Sequence, residues 1–265
     1  MPNQFQLSIP TGNGSPKVLK IDVGDVFYML GANGSGKSSL VSYVFNQNQG
    51  HVKRISAHRQ TWIESNAVDV TPRSRQDLET NLRSFDLQPR ARYWEWNPSV
   101  RSNIAIFDLV DADTMQERKI AALVRAGDDV TAKKEAMDPS PIQVINEMMR
   151  LSNLQIEISL EDGQKVVARK NGGASYSLAE LSDGERNAFF IASEVLTAKA
   201  GTLVIIDEPE RHLHRSIISP LLKMLFDKRR DCAFIISTHE FMLPVETPKA
   251  STLLIRSSEY QGANV

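Results

Sequence analysis

The first 30 residues contain three short hydrophobic runs separated by turn sequences. The runs are Phe5 to Ile9, Val18 to Val23 and Val26 to Leu30. Glycine-containing turns separate them at residues 11–14 and at Gly24-Asp25. Runs of this length with such boundaries are typical of β-strands. The pattern therefore predicts an antiparallel β region that leads into a third strand.

Two hydrophobic runs in the second half of the chain, Thr202 to Ile206 and Cys232 to Ser237, show no alternation with polar residues. Continuous runs are typical of strands buried on both faces of a parallel sheet. Between them, large apolar residues recur every four positions from Ile217 to Phe226, which predicts a covering helix. Pro220 is expected near the first turn of this helix, because proline disrupts a helix interior. Two further strands of an α/β core are predicted at Val52 to Ala57 and Ser251 to Ile255.

The central part of the chain has a helical period. Helices are predicted from Thr71-Pro72, from Val100 to about Ala126 and from Ser140 to Leu151. A β-hairpin around an Asp-Gly turn is predicted after them, from Leu154 to Leu160 and from Lys165 to Lys170. We therefore predict a core formed by residues 1–60 and 151–265, with an inserted, mostly helical lobe at residues 61–150.

The composition is that of an ordinary globular protein. Of the 265 residues, 41% are hydrophobic and 24% are charged, and the formal net charge is -1. This balance does not favour a protein that coats nucleic acid through bulk charge. The single cysteine, Cys232, excludes an internal disulfide and a cysteine-based zinc site. Because no hydrophobic run approaches the roughly 20 residues that span a bilayer, and the polar N-terminus is unlike a signal peptide, we expect a cytoplasmic protein without a membrane partner.

Gly31 to Ser38 matches the phosphate-binding loop pattern G-x-x-x-x-G-K-[ST] at every fixed position. Its glycines let successive N–H groups point at phosphate oxygens, Lys37 adds a positive charge, and the Ser38 hydroxyl is suited to Mg²⁺. The alternative is a glycine-rich surface turn with an incidental lysine. The predicted nucleotide contacts in this stretch are Asn33, Gly34, Ser35, Gly36, Lys37, Ser38 and Ser39.

Polar residues follow the two buried strands of the second half. Asp207 and Glu208 end the first, and His239 follows the second. An aspartate there can hold Mg²⁺ through water beside Ser38, and a carboxylate one residue later can orient the water that attacks the γ-phosphate. A histidine on the neighbouring strand can contact the γ-phosphate and respond to its loss. Each residue also has a plain structural alternative, as a helix cap or a loop residue. We predict Lys37, Glu208 and His239 as the catalytic residues.

The stretch Leu181-Ser182-Asp183-Gly184-Glu185 precedes a helical stripe, so Ser182 and Gly184 lie at a helix N-terminus, which favours anions. This pentapeptide resembles the signature of the ABC family. Leu203 to Pro209 resembles the Walker B strand of that family, and Ser237-Thr238-His239 resembles its switch histidine. Together with the phosphate loop, their order and spacing are similar to those of an ABC-type ATPase.

The resemblance implies a P-loop NTPase core that binds ATP and Mg²⁺ and hydrolyses ATP. In this family two copies associate head to tail, so that Ser182 and Gly184 would complete the nucleotide site of the opposite subunit. The resemblance also implies a Q-loop glutamine that contacts magnesium. Gln60, at the end of a predicted strand, is the first candidate, and Gln76, inside a predicted helix, is the alternative. The implied metal ligands are Ser38, Asp207 and Gln60.

Within the family, Glu185 in place of glutamine and the stretch from Glu208 to His214 resemble the branch of SMC-type, RecF-type and OLD-type ATPases, which includes ATP-binding subunits of bacterial anti-phage systems. Two positions depart from the commonest pattern. Asp183 replaces the first glycine of the signature, and His214 stands where transporter-type members have the aspartate of the D-loop. The interval from Ser38 to Ser182 contains no sustained heptads, which excludes the long coiled coil of SMC proteins.

Three functions are compatible with these motifs. The first is an ATPase that dimerises around two ATP molecules and controls an effector protein or domain, such as a nuclease, in anti-phage defence or DNA repair. The second is the nucleotide-binding subunit of a membrane transporter, against which the Glu185 and Glu208 to His214 features stand. The third is an ATP-gated DNA-binding module, which salt-dependent duplex binding would reveal. Only a group of arginines supports it: Arg73, Arg75, Arg83, Arg90 and Arg92.

All three tryptophans, Trp62, Trp94 and Trp96, fall in the predicted lobe. They are interpreted as core aromatics, with the neighbouring arginines on a solvated face. The alternative is that Trp94 and Trp96 form a docking pair, because aromatic residues and arginine are enriched at binding hot spots.

Overall fold

A computed structural model describes residues 4–11, 15–56, 63, 70–162 and 165–256. The strands are β1 (Gln4–Ile9), β2 (Lys17–Asp22), β3 (Val26–Gly31), β4 (Val52–Ser56), β5 (Ile156–Glu161), β6 (Lys165–Lys170), β7 (Tyr176–Ser177), β8 (Leu203–Asp207), β9 (Ala233–Thr238) and β10 (Ser251–Ile255). The helices are α1 (Lys37–Gln47), α2 (Pro72–Asp86), α3 (Pro98–Arg125), α4 (Asp129–Met137), α5 (Pro141–Leu151), α6 (Asp183–Leu196), α7 (Arg215–Lys228) and α8 (Met242–Val245). Short 3₁₀ helices lie at Pro89–Arg92 and Leu178–Glu180.

The central sheet has five strands in the order β10-β3-β9-β8-β4, and every neighbouring pair is parallel. All residues of β8 and β9 are buried, which explains why their sequences show no polar alternation. The prediction of an α/β fold with a parallel sheet is confirmed. Because β9 separates β3 from β8, the carboxyl ends of these three strands lie side by side.

The N-terminal antiparallel region is also confirmed. β1 pairs with β2 along their full lengths, and Leu7 and Ile21 bury their side chains in a cluster with α1. The side chain of Gln47, at the end of α1, accepts from the N–H of Ser8 at 2.9 Å and donates to its carbonyl oxygen at 3.0 Å. The hairpin is therefore tied to the helix that follows the phosphate loop.

Capping explains where the central helices begin. Thr71 and Ser140 each accept a hydrogen bond from the third residue of the helix that follows, and each precedes a proline. The sequence predicted both of these starts. It did not predict α4, whose N-cap is Asp128 and in which Ala132 alone is buried. With a single buried position, α4 has no hydrophobic stripe from which its helical period could be inferred.

The central helices share one hydrophobic cluster with the sheet. Leu109 of α3 and Met148 of α5 belong to the same cluster as Ile206 of β8 and Phe234 of β9. The division into a core and a lobe at residues 61–150 stays a prediction. No helix in the described ranges combines the length and the apolar character that would be needed to cross a bilayer.

The expected place of Pro220 was wrong. α7 begins at Arg215, so Pro220 lies in its second turn, inside the helix. Proline cannot donate to the carbonyl of Ser216 four residues before it. Since Ser216 is exposed, water can satisfy that carbonyl, which makes the proline tolerable here.

The interpretation of the tryptophans as core residues was wrong for Trp94 and Trp96, which are 45% and 39% exposed. The ring of Trp94 lies edge-on to that of Phe85, at 5.4 Å between centroids, and the guanidinium of Arg90 lies 5.0 Å from the Trp94 ring. Trp94 therefore rests on the surface of the helices rather than inside them. Trp62 lies outside the described residues.

We expect the double substitution Trp94→Ala and Trp96→Ala to lower the free energy of unfolding by only about 1 kcal/mol, the value of one aromatic contact. Phe85→Ala is the matched control, because Phe85 is 4% exposed and truncation of a buried aromatic costs about 3 kcal/mol or more. Urea denaturation of both variants measures the difference. A double variant that loses as much as Phe85→Ala would contradict the exposed position of the pair.

Candidate nucleotide-binding site

The phosphate loop connects β3 to α1. Gly36 is the N-cap of α1 and has a left-handed backbone with φ of 96°, a conformation that side chains rarely adopt. No side chain caps α1, so the first N–H groups of the helix point out of its end without a side-chain acceptor. Such an end attracts anions, because the free N–H groups and the helix dipole both favour negative charge.

Two buried side chains in the loop are suited to a phosphate. Lys37 is 4% exposed, and its Nζ donates to the carbonyl oxygens of Gly31 and Ala32 at 2.8 and 3.1 Å. These neutral carbonyls leave the lysine charge uncompensated. The buried hydroxyl of Ser35 has no hydrogen-bond partner within the described residues. The predicted contacts Asn33 and Gly34 are exposed on the loop, and Ser38 and Ser39 are half-buried in the first turn of α1.

Asp207 ends β8 and is completely buried. Its Oδ2 accepts from Nη2 of Arg54 on β4 at 3.3 Å, whereas its Oδ1 has no partner in the described part of the chain. A buried carboxylate oxygen with no partner is suited to a cation or to the water bound to one. Arg54 was missed from the sequence, although a charged residue among Val52, Ile55 and other strand positions is itself a signal for a buried ion pair.

Glu208 has a left-handed backbone with φ of 50°, and its N–H donates to the carbonyl oxygen of Ser237 at 2.8 Å. This conformation is unfavourable for a residue with a side chain, and such outliers concentrate at functional sites. The carboxylate of Glu208 forms an ion pair with Nε of Arg211 at 3.0 Å. The end of β8 thus places Glu208 next to Asp207, and the Glu208 carboxylate is ion-paired with Arg211.

His239 follows β9 and contacts Glu210, a residue that sequence reasoning did not single out. Oε1 of Glu210 lies 2.9 Å from Nδ1 of His239, and it accepts from the His239 N–H at 2.9 Å and from the Thr238 hydroxyl at 2.7 Å. These contacts fix the ring orientation and leave Nε2 facing away from Glu210. The sequence signal is an acidic residue two positions after Glu208, which the end of β8 brings next to the end of β9.

Ser182 is the N-cap of α6, with a reciprocal capping box to Glu185. The Glu185 carboxylate accepts from the N–H and the hydroxyl of Ser182 at 2.9 and 2.8 Å. Burial alone would raise the pKa of Glu185, but the hydrogen bonds from Ser182 and the charge of Lys170 outweigh it, and the pKa lies below its usual value. Glutamate therefore performs at this position the capping role that glutamine can also perform.

Two close contacts join α6 to the loop after β8. A Cβ atom at position 184 would lie 2.8 Å from the carbonyl oxygen of His212, so only glycine fits at Gly184. The side chain of the buried Asn187 donates to the carbonyl oxygen of Arg211 at 2.7 Å.

His214 caps α7 by accepting from the N–H of Ser216 at 3.3 Å. An aspartate could accept the same bond, so the departure at His214 preserves the helix cap.

The described contacts therefore bring Lys37, Asp207, Glu208 and His239 to one edge of the sheet. No hydrogen bond or ion pair in the described residues joins Ser182 to the phosphate loop of the same chain. Gln60 lies outside the described residues. Gln76 is exposed on α2.

A phosphate loop after β3, acidic residues at the end of β8 and the intervening strand β9 define a P-loop NTPase fold. The chain belongs to the family described as "AAA domain, putative AbiEii toxin, Type IV TA system", whose family model matches residues 54–243.

Two solved structures match the chain over most of its length but are distant in sequence. A protein from Pyrococcus furiosus, described as a "putative ABC transporter (ATP-binding protein)", is 12% identical, with 95% of this chain and 97% of that chain covered and a TM-score of 0.45. The protein cbiO1 from Clostridium perfringens, described as part of the ABC transporter complex cbiONQ, is 14% identical, with 94% and 83% covered and a TM-score of 0.44. No curated protein matches the chain. The assignment to a family therefore rests on the family model.

Proposed function

We propose that the protein is a cytoplasmic, ATP-hydrolysing ABC-type ATPase that forms a head-to-tail dimer around two ATP molecules. The observation that carries this proposal is the position of Ser182. It caps the exposed N-terminal end of α6, yet it makes no polar contact with the phosphate loop of its own chain in the described residues. A second copy is the simplest source of a phosphate for that helix end, because a symmetric pair would use the same two surfaces twice.

The residues at the sheet edge suit ATP with magnesium. Lys37 and the N-terminus of α1 would bind the phosphates, and the Ser38 hydroxyl and the free Oδ1 of Asp207 would hold the metal, directly or through water. A magnesium ion held there would neutralise negative charge on the phosphates. Gln60 remains a proposed further ligand.

Glu208 would orient the attacking water, as phosphoryl transfer depends above all on positioning. Oε2 of its carboxylate pairs with Arg211 in the described structure, and the second carboxylate oxygen, Oε1, would accept a hydrogen bond from the water molecule. His239, held at Nδ1 by Glu210, would direct Nε2 toward the γ-phosphate. The partners of Glu208 and His239 both lie in the loop after β8, which contacts Asn187 and Gly184 of α6. The positions of both side chains therefore depend on that loop.

We further propose that nucleotide state controls an effector protein or domain, such as a nuclease, in a bacterial defence system, with nucleic acid as a further candidate partner. The family description supports this because it names a toxin and a type IV toxin–antitoxin system. The resemblance of the Glu208 to His214 stretch to SMC-, RecF- and OLD-type ATPases supports the same role.

Mixing two inactive variants tests the shared site. Lys37→Ala lacks an intact phosphate loop, and Ser182→Arg blocks the end of α6, so each is expected to lose ATPase activity alone. In a mixed dimer, the intact loop of the Ser182→Arg chain would meet the intact Ser182 of the Lys37→Ala chain. An equal mixture is therefore expected to recover roughly a quarter of wild-type turnover, since half the dimers are mixed and each has one of two sites intact.

The control mixture combines Lys37→Ala with a chain that carries both substitutions, and it contains no complete site in any arrangement. Light scattering with and without MgATP is measured in parallel. Two results together would rule out the head-to-tail dimer. The mixture would be no more active than the control, and the molar mass from light scattering would be the same with and without MgATP.

A further inference from the structure

The 3₁₀ helix Pro89–Arg92, called the 89–92 turn below, packs against the helix of the phosphate loop. Nη1 of Arg92 donates to the hydroxyl of Ser39 at 3.2 Å, and Nε of Arg92 donates to the carbonyl oxygen of Pro89 at 3.0 Å. Ser39 is the third residue of α1, so it belongs to the first turn, where the free N–H groups lie. A guanidinium from the central helical region is thus held beside the anion-binding end of α1.

Arg92 has no acidic partner among the described residues, in contrast to Arg54 and Arg101. Arg54 pairs with Asp207, and Arg101 pairs with Asp86 and Glu95. Arg92 makes its described hydrogen bonds with a serine hydroxyl and a backbone carbonyl, both neutral. Its positive charge therefore adds to that of Lys37 and to the helix end, and all three favour an anion at the same place.

We propose that Arg92 is a nucleotide ligand, which contacts an inner phosphate of a bound nucleoside di- or triphosphate. Lys37 and Ser38 serve the terminal phosphates and the metal in this class of loop. Ser39 lies one residue further along the helix, so the group beside it reaches the α- or β-phosphate. The proposal requires nucleotide binding by one chain and is independent of the dimer.

The same turn also contacts the opposite side of the site. Nη1 of Arg54 donates to the carbonyl oxygen of Ala91 at 3.3 Å while Nη2 of Arg54 binds Asp207. The 89–92 turn therefore contacts the phosphate-loop helix directly and the aspartate at the end of β8 through Arg54. Arg90 of the same turn lies over the Trp94 ring, so the turn also contacts the exposed indole. We infer that the turn transmits occupancy of the site to the surface around Trp94.

Equilibrium binding of ADP and of ATP without magnesium, measured by calorimetry, tests the ligand. Arg92→Ala is expected to weaken both nucleotides about tenfold, the loss of one charge-assisted hydrogen bond. Arg92→Lys, which keeps the charge without the planar fork, is expected to lose less. Arg90→Ala is the control, because Arg90 belongs to the same turn but lies on the aromatic rings. Its affinities are expected to stay within about twofold of wild type.

An Arg92→Ala protein with wild-type melting and unchanged affinity for both nucleotides would overturn the proposal. A loss for ATP alone would overturn the assignment to an inner phosphate. If Arg92→Ala melts lower than wild type, the nucleotide affinities of Arg92→Lys and Arg90→Ala are compared instead. Arg92→Lys keeps the positive charge at position 92, and Arg90→Ala keeps Arg92 itself. In that case equal affinities in the two variants would reject the ligand.

Fluorescence tests the transmission. The chain has three tryptophans, and in a Trp62→Phe, Trp96→Phe background only Trp94 remains. Saturating ADP is expected to change its emission, and Arg92→Ala is expected to remove that change even at saturation. A variant that keeps the full change at saturation would show that the turn does not carry the signal.

Discussion

Glu208→Gln is expected to bind ATP as tightly as the wild type while its turnover falls by roughly 10² to 10⁴, the range for loss of a positioned acid–base group. The substitution keeps the size of the side chain and its capacity to bind a water molecule, but it removes the negative charge that polarises the water. Since Glu208 is held by the backbone bond to Ser237, the variant should fold with the same loop geometry. Single-turnover hydrolysis and equilibrium binding of ATP separate the two effects.

Lys37→Ala is the paired control, because it should abolish binding rather than chemistry. Lys37 is the buried cation of the loop, and neutral carbonyls are its hydrogen-bond partners. Arg211→Ala provides a second comparison, since it opens the ion pair that holds the Glu208 carboxylate. If Glu208→Gln keeps wild-type turnover, Glu208 has no role in orienting the water, and the left-handed backbone at this position needs another explanation.

Local chemistry made most of the fold predictable. The phosphate loop pattern predicts a strand before it and a helix after it, and the continuous hydrophobic runs of β8 and β9 predict buried parallel strands. The polar residues that follow each run, Asp207 and His239, could be placed at strand ends for the same reason. These predictions needed only neighbours in sequence.

Pairs that are distant in sequence could not be predicted, because strand order and helix packing decide them. Arg54 and Asp207 are 153 residues apart and meet because β4 lies beside β8. Arg92 and Ser39 are 53 residues apart and meet because the 89–92 turn packs on α1. Composition also gave no sign of whether Trp94 faces the interior, since an aromatic residue serves a core and a surface equally well.

Arg54→Met is expected to cause the largest loss of stability among the site variants. It keeps a long apolar stem but leaves the fully buried Asp207 without a partner in the described residues. Breaking a buried ion pair from one side costs about 3 kcal/mol or more, which lowers the melting midpoint of a domain of this size by roughly 10 °C. MgATP should raise the midpoint more in this variant than in the wild type, because the metal restores a positive charge beside Asp207.

Lys53→Met is the matched control on the same strand. Lys53 pairs with Glu194 at 2.6 Å, but their side chains are 26% and 13% exposed, so water already screens the pair and about 1 kcal/mol or less is at stake. Thermal unfolding of both variants, with and without MgATP, gives the comparison. If the melting midpoint falls equally in the two variants, a group other than Arg54 compensates the charge of Asp207. Equal stabilisation by MgATP would mean that the metal does not act on Asp207, and the proposed magnesium site would have to be moved away from the end of β8.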